Sequence, residues 1–333
     1  MAAPRRPVGD RLVLSPQEPL VAGGAAETFE ENIRAGEGMT VRTQASRPPD
    51  QVVTSVADRR STVLDVVRNA RQSIALSLFR CNDAEVLSEL ARATARGVRV
   101  DAVVTSRAKG GKAKLRKLWT RLTECGASVH AYSDPVVKYH AKYLVADDGP
   151  AVVASCNFTR KCFERTLDAL VVTHDPDVVS GLLDLMAADA ERRPAPSSVS
   201  PRLIVGPERA RKQLTTLIEQ ANTSIRLIDA KLSDPDLVTL LNARRAAGLS
   251  VEIFGAKRIG PLKSHGKIML IDNRLAVVGA LAIAAISLDF RREVAIIVDN
   301  ADAVASVERL FASLEAERSE GRSSAADGER LGL

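Results

Sequence analysis

The sequence states one folding unit twice. Residues 69–76, Asn-Ala-Arg-Gln-Ser-Ile-Ala-Leu, resemble residues 220–227, Gln-Ala-Asn-Thr-Ser-Ile-Arg-Leu, at an offset of 151, and Gly97-Val-Arg-Val resembles Gly248-Leu-Ser-Val at the same offset. Further on, His140-Ala-Lys142 matches His265-Gly-Lys267 at an offset of 125, so the first copy carries about 26 extra residues between these points. A duplicated chain of 333 residues has the length for two similar lobes, each able to bury a core of its own.

Each copy alternates helical and strand patterns. In the first, Val63, Leu64, Val66, Val67 and Ala70 have helical spacing, and Ile74, Leu76 and Leu78 alternate as a strand does. A helix over 84–96 ends at Gly97, and the strand 98–104 follows. Beyond the extra residues, strands are expected over 136–146 and 151–155, joined at Asp148-Gly149-Pro150, then a strand over 168–173 and a helix over 177–192. The second copy repeats this order: a helix from about 208, a strand 225–228, a helix 236–247, a strand 249–254, strands flanking Asp272-Asn273, a strand 293–298 and a helix 301–316.

The expected fold class is therefore α/β: two similar mixed-sheet lobes related by pseudo-twofold symmetry, with a site at their interface. The lobes are expected over 51–193 and 203–318, joined by the Pro- and Ser-rich linker 194–202. Residues 1–50 and 319–333 lack periodicity and are read as an irregular N-terminal segment and a disordered tail.

Hydrophobic residues at 45% and charged residues at 26% exclude wholesale disorder and a fibrous architecture. The formal charge of +6 is local, because the seven Lys/Arg between Arg107 and Arg121, with no acid among them, exceed the whole surplus. A chain-wide nucleic-acid-coating surface is thus not indicated. No stretch approaches the roughly 18 apolar residues that span a bilayer, and no apolar run follows Arg5 and Arg6, so a cytoplasmic protein is expected. Cys81, Cys125, Cys156 and Cys162 lack paired metal-ligand spacing and read as reduced thiols.

On a strand, His140 and Lys142 would share a face, which puts a base or nucleophile beside a fixed cation. A single His-x-Lys would ordinarily be a packing feature. Here two of the chain's four histidines occupy equivalent repeat positions, each two residues before a Lys, and packing does not account for that.

The full pattern resembles the signature of the phospholipase D superfamily, His-x-Lys-x4-Asp followed after six residues by Gly-Ser-x-Asn. The first copy reads His140-x-Lys142-x4-Asp147-x6-Ala154-Ser155-Cys156-Asn157. The second reads His265-x-Lys267-x4-Asp272-x6-Gly279-Ala280-Leu281-Ala282, with Ala280 and Ala282 where Ser and Asn are usual. The resemblance runs from about Arg59 to Ala316 and implies metal-independent phosphodiester chemistry through a phosphohistidine, with no cofactor. Two Lys ammoniums can stabilise charge on the phosphoryl oxygens while one imidazole attacks and the other protonates the leaving oxygen.

By that analogy His140 is the nucleophile and His265 the general acid, with Lys142, Lys267, Asp147 and Asp272 completing the motifs. Asp147 and Asp272 are expected to hold the turns after their strands rather than to touch substrate. Asp168 and Glu293 each lie 28 residues after a motif histidine and head an apolar strand. A carboxylate so placed is similar to the one that orients the histidine in this family. Ser155 and Asn157 are candidate substrate contacts.

Within residues 107–122, Leu115, Leu118, Trp119 and Leu122 fall on one helical face among cations, which is compatible with peripheral docking on anionic lipid or with packing on the lobe itself. Aromatic residues at 3% leave few candidates for stacking on nucleic-acid bases, so a phospholipid headgroup is the favoured phosphodiester and a monomer the expected state. A nuclease and a weakened phosphate-binding protein are the alternatives.

Overall fold

The computed structural model describes residues 48–107 and 112–330, with side chains as far as 318. The expected irregular segment therefore falls almost wholly outside the described residues, as do 108–111 of the basic stretch. The duplication becomes two sheets in which corresponding strands take corresponding places. Across the first, the order is Gln51–Val53, Leu170–Thr173, Ala151–Ala154, Tyr143–Ala146, Ser73–Leu78, Arg99–Thr105, Ser128–Tyr132. Across the second it is Leu203–Val205, Val294–Val298, Leu275–Gly279, Lys267–Ile271, Ser224–Ile228, Ser250–Phe254. Both sheets are mixed: Ser73–Leu78 pairs in parallel with Arg99–Thr105 as Ser224–Ile228 does with Ser250–Phe254, whereas the hairpin strands that follow each motif are antiparallel. The extra residues of the first copy build the helix Lys112–Glu124 and the seventh strand, Ser128–Tyr132.

Both faces of each sheet are covered, which is why the strands read as nearly unbroken apolar runs. Along Tyr143–Ala146 the side chains alternate: Tyr143 and Val145 enter the layer between the lobes, while Leu144 and Ala146 enter the first lobe's outer core. Ile268 and Leu270 meet the same central layer from the other side, and Met269 and Ile271 face the second lobe's outer core. The helices Pro176–Glu191 and Ala301–Arg330 send Leu182, Leu185, Val307 and Phe311 into the central layer.

The duplication extends beyond the motifs. Asp83 caps the helix Ala84–Ala95 by accepting from Val86 N, and Asp234 caps Pro235–Ala246 by accepting from Leu237 N. Arg60 grips Asp83 at 3.1 Å and Glu164 at 2.6 Å, and its counterpart Arg211 grips Asp234 at 2.8 Å and Asp289 at 2.6 Å.

Two expectations are corrected. The segment 136–146 is two strands, Lys138–Tyr139 and Tyr143–Ala146, with the His-x-Lys motif in the break between them. The last helix does not stop near 316, where its apolar spacing ends, but continues to Arg330. Among the described residues, no helix is long and apolar enough to cross a membrane.

Candidate active site

The two lobes are stitched by a pair of short parallel ladders. Lys138–Tyr139 of the first lobe pairs with Arg291–Arg292 of the second, and Leu262–Ser264 of the second pairs with Thr166–Leu167 of the first. Each of these strands leads at once into a residue of interest: His140, Glu293, His265 and Asp168. All four sit where the chain leaves a seam strand for its lobe's main sheet, so the seam sets their positions. Two further backbone bonds close the joint, His140 N to Arg292 O at 2.9 Å and Gly266 N to Leu167 O at 2.7 Å. The second approach excludes a side chain, since a Cβ on Gly266 would lie 2.8 Å from Leu167 O. Gly266 therefore stands where the first copy has Ala141.

Because the ladders cross between lobes, so do the histidine–carboxylate pairs. Nδ1 of His265 meets Asp168 at 3.0 Å, and Nδ1 of His140 meets Glu293. The spacing of 28 residues within each copy identifies the right carboxylates and the wrong partners. The pairing leaves the other ring nitrogen, Nε2, outside the carboxylate bond in both, with Lys142 Nζ 3.5 Å from Nε2 of His140.

The lysines join their histidines through the backbone. Lys142 Nζ donates to His140 O at 2.5 Å and lies 3.1 Å from His140 Nδ1, and Lys267 Nζ donates to His265 O. Both lysines are buried. Burial holds the Lys142 ammonium's pKa down to about 7, an effect that nearby Lys267 reinforces and Glu293 opposes. Burial and the cations Lys142, Arg291, Lys267 and Lys231 hold His140 well below the ordinary imidazole range. Asp168 is buried too, but His265, Ser155 and Thr166 outweigh its desolvation and keep its pKa below the usual value. Glu293 moves the other way, raised by burial although Lys142 pulls it down. The halves are thus chemically unequal: a neutral His140 faces a His265 backed by an ionised carboxylate.

Ser155 reaches the site indirectly. Its hydroxyl donates to Asp168 at 2.6 Å and accepts from Ala169 N at 2.9 Å, and Thr166 donates to the other Asp168 oxygen at 2.5 Å. Asn157 is buried beside it, with an unpartnered Oδ1. Asp147 and Asp272 lie at the opposite ends of their strands from the histidines and are not brought to the site. Asp147 accepts from the backbone N–H of Arg71, Gln72 and Ser73, and Asp272 from those of Asn222, Thr223 and Ser224, each tying its strand end to the start of the central strand. Both therefore stand apart from the catalytic set in which the signature places them, and they bond to residues 71–73 and 222–224 rather than within the turns that follow their strands.

The motif's departure in the second copy has a local remedy. Ala280 occupies the place of Ser155 and has no hydroxyl for Glu293, but Ser287, which stands where the first copy has Cys162, donates to Glu293 from another direction. Ser287 also accepts from Ala282 N at 3.0 Å. It is missed when the signature alone is aligned, although the repeat offset of 125 points to it. Removing this bond in Ser287→Ala is expected to lower kcat about tenfold with little change in KM, the worth of one hydrogen bond to a charged group. Adding Ala280→Ser is expected to recover most of that loss. A double variant no better than Ser287→Ala would show that the hydroxyl holds the loop rather than the carboxylate.

Other groups absent from the signature also line the site. The Phe79 ring lies 4.5 Å from that of His140, and Arg59, fully buried, approaches Asp168 at 4.0 Å. Among the described residues, Cys162, Asp168 and His265 present ligand-type atoms within 4.8 Å of one another. The Asp168 oxygens already serve Ser155, Thr166 and His265, so this trio forms the orienting shell of His265.

The described residues thus form a two-lobed α/β fold with a His/Lys pair from each lobe at one seam. Residues 63–189 match the family described as cardiolipin synthase, PLD-like domain. Residues 63–189 thus carry a phospholipase D-like domain, and the chain as a whole has the two-lobed fold of the solved structures it resembles. It is similar in structure to phosphatidylserine synthase from Haemophilus influenzae Rd KW20, with a TM-score of 0.61 and 12% identity over 84% of this chain and 87% of that one. It is similar also to polyphosphate kinase from Porphyromonas gingivalis, with a TM-score of 0.62 and 18% identity over 80% of this chain and 50% of that one. The chain thus spans half the length of that kinase. No curated protein matches it in sequence.

Proposed function

We propose that the chain is a phosphodiesterase or phosphatidyltransferase of the phospholipase D type, acting on phospholipid headgroup phosphodiesters through a phosphohistidine. The observation that carries this reading is the crossed pairing at the seam: His140 with Glu293, His265 with Asp168, and a buried lysine beside each histidine. His140 Nε2 attacks phosphorus, the bond to the leaving alcohol breaks, and His265 supplies the proton that the departing oxygen takes. Water or an acceptor alcohol then gives its proton to His265 and displaces His140, releasing the N–P bond. Lys142 and Lys267 hold the charge that builds on the phosphoryl oxygens. The unequal environments of the histidines support giving attack to His140 and protonation to His265. The family description of the matched residues, as a cardiolipin synthase-like domain, supports a phospholipid substrate.

The test is incubation with mixed phospholipids, a short alcohol and EDTA. Phosphatidic acid and phosphatidyl-alcohol are expected from the parent and neither from His140→Ala, whereas cleavage of duplex nucleic acid with no action on lipid would replace the substrate reading. The pH profile of kcat/KM provides a second readout. A lysine with a depressed pKa is charged only below it, so phosphate stabilisation by Lys142 is present in acid and lost on going up through about pH 7. The alkaline limb is therefore expected near 7, and a limb above 9 would show that Lys142 keeps its proton in the free enzyme.

A further inference from the structure

The seam carries an unexplained surface. Four large hydrophobic side chains are exposed among the described residues, and three of them gather beside one ladder: Val136 at 58%, Ile286 at 48% and Phe290 at 47%. Arg291 pairs with Lys138, so Phe290 and Val137, the latter next to Val136, are the residues that precede this pair on the two chains. Val136 is presented on a fixed loop, because Arg107 donates to the carbonyls of Pro135 and Val137, and Asp134 accepts from the amides of Val136 and Val137. Phe290 lies three residues before Glu293, and Val136 four before His140, so the apolar cluster is within roughly 10–14 Å of the site along the chain.

The other ladder presents the opposite character. Where the second copy has Ile286 and Phe290, the first has Lys161 and Arg165, both exposed, and the strand paired with Thr166–Leu167 adds the exposed Lys263. The acids on these two short helices, Glu164 and Asp289, are engaged by Arg60 and Arg211. The site is thus flanked by an apolar cluster on one side and by cations on the other. Neither core packing nor the chemistry explains why equivalent positions diverged in this way.

We propose that these two flanks are a docking surface for a bilayer containing anionic phospholipid, with Val136, Ile286 and Phe290 entering the headgroup region and Lys161, Arg165 and Lys263 meeting the lipid phosphates. The proposal rests on the phospholipid reading above. It favours a bilayer over a protein partner because apolar insertion beside a cationic flank complements a negatively charged interface on both counts. It also moves the contact away from residues 107–122, whose helix buries Leu118 and Leu122 against its own lobe.

The test uses the full chain carrying His140→Ala, so that turnover cannot alter the membrane, and vesicles of phosphatidylcholine with or without phosphatidylglycerol. Ile286→Ser with Phe290→Ser is expected to weaken partition onto both vesicles at least about tenfold. Lys161→Ala with Lys263→Ala is expected to weaken it only where phosphatidylglycerol is present. In the otherwise unaltered chain, the same pairs should leave turnover of a monomeric short-chain phosphodiester within about twofold. Unchanged partition would overturn the proposal, as would conversion of a dimer to a monomer with vesicle binding intact, or loss of monomeric turnover in step with binding. Docking by a parent chain that turns over no lipid would sink the substrate reading and leave the docking surface standing.

Discussion

With an aryl phosphodiester whose phenolate leaves without help, His265→Ala is expected to release one equivalent of phenol per chain in a burst and then stall, with the phosphoryl group held on His140. The reason lies in the division of labour at the seam. His140, kept neutral by burial and by four surrounding cations, needs no assistance to attack, and a good leaving group needs no proton. The second step has no such relief, because water must lose a proton as it attacks, and in the proposed route His265 is the base that takes it. On an ordinary phospholipid, whose alkoxide leaves poorly, the same variant is expected to lose about 10²–10⁴-fold in rate. His140→Ala should show neither burst nor adduct. An adduct in His140→Ala but not in His265→Ala would exchange the two roles, and a burst in neither would remove the covalent route.

The second large effect concerns stability. Arg292 is buried at the first ladder, donating to Asp189 at 2.9 Å, to Gly206 O at 2.8 Å and to both oxygens of Glu208, while its own carbonyl accepts from His140 N. Asp189 is almost wholly buried, and desolvation raises its pKa to about 7 in spite of Arg292. Arg292→Met leaves that carboxylate without its cation, which is expected to cost about 3–5 kcal/mol. For a chain of this size that is a fall in Tm of about 4–7 °C. A carboxylate whose folded pKa lies above its unfolded value destabilises the fold at high pH, and the penalty fades as pH falls toward the unfolded value. The defect should therefore be larger at pH 8 than at pH 5, and Asp189→Asn in the same chain should remove most of the difference. A deficit independent of pH would mean that Arg292 acts through packing alone.

Much of the site was legible because duplication repeats chemistry as well as fold. His140, Lys142, His265 and Lys267 stand out by their equivalence, and Asp168 and Glu293 by a shared spacing from the histidines. Ser287 was not legible from the signature, because its hydroxyl replaces that of a missing Ser from a different position in the loop. The break of the motif strand at His140 was also hidden. The residues on both sides of it are strand-like, and only pairing with Arg291–Arg292 turns the first two away from the main sheet.

By itself the sequence determined the two lobes, the order of elements along the chain that they share, and the motif residues. These follow from periodicity and from short repeated motifs, which are set over a few residues. Only the tertiary structure decided that each histidine takes its carboxylate from the other lobe, that Arg292 ties the joint, and that apolar and cationic flanks border the site. Those outcomes depend on how two sheets dock, and docking is set by buried contacts between residues far apart in the chain, as in the pairing of His265 with Asp168 at a separation of 97 and of Arg292 with Asp189 at 103.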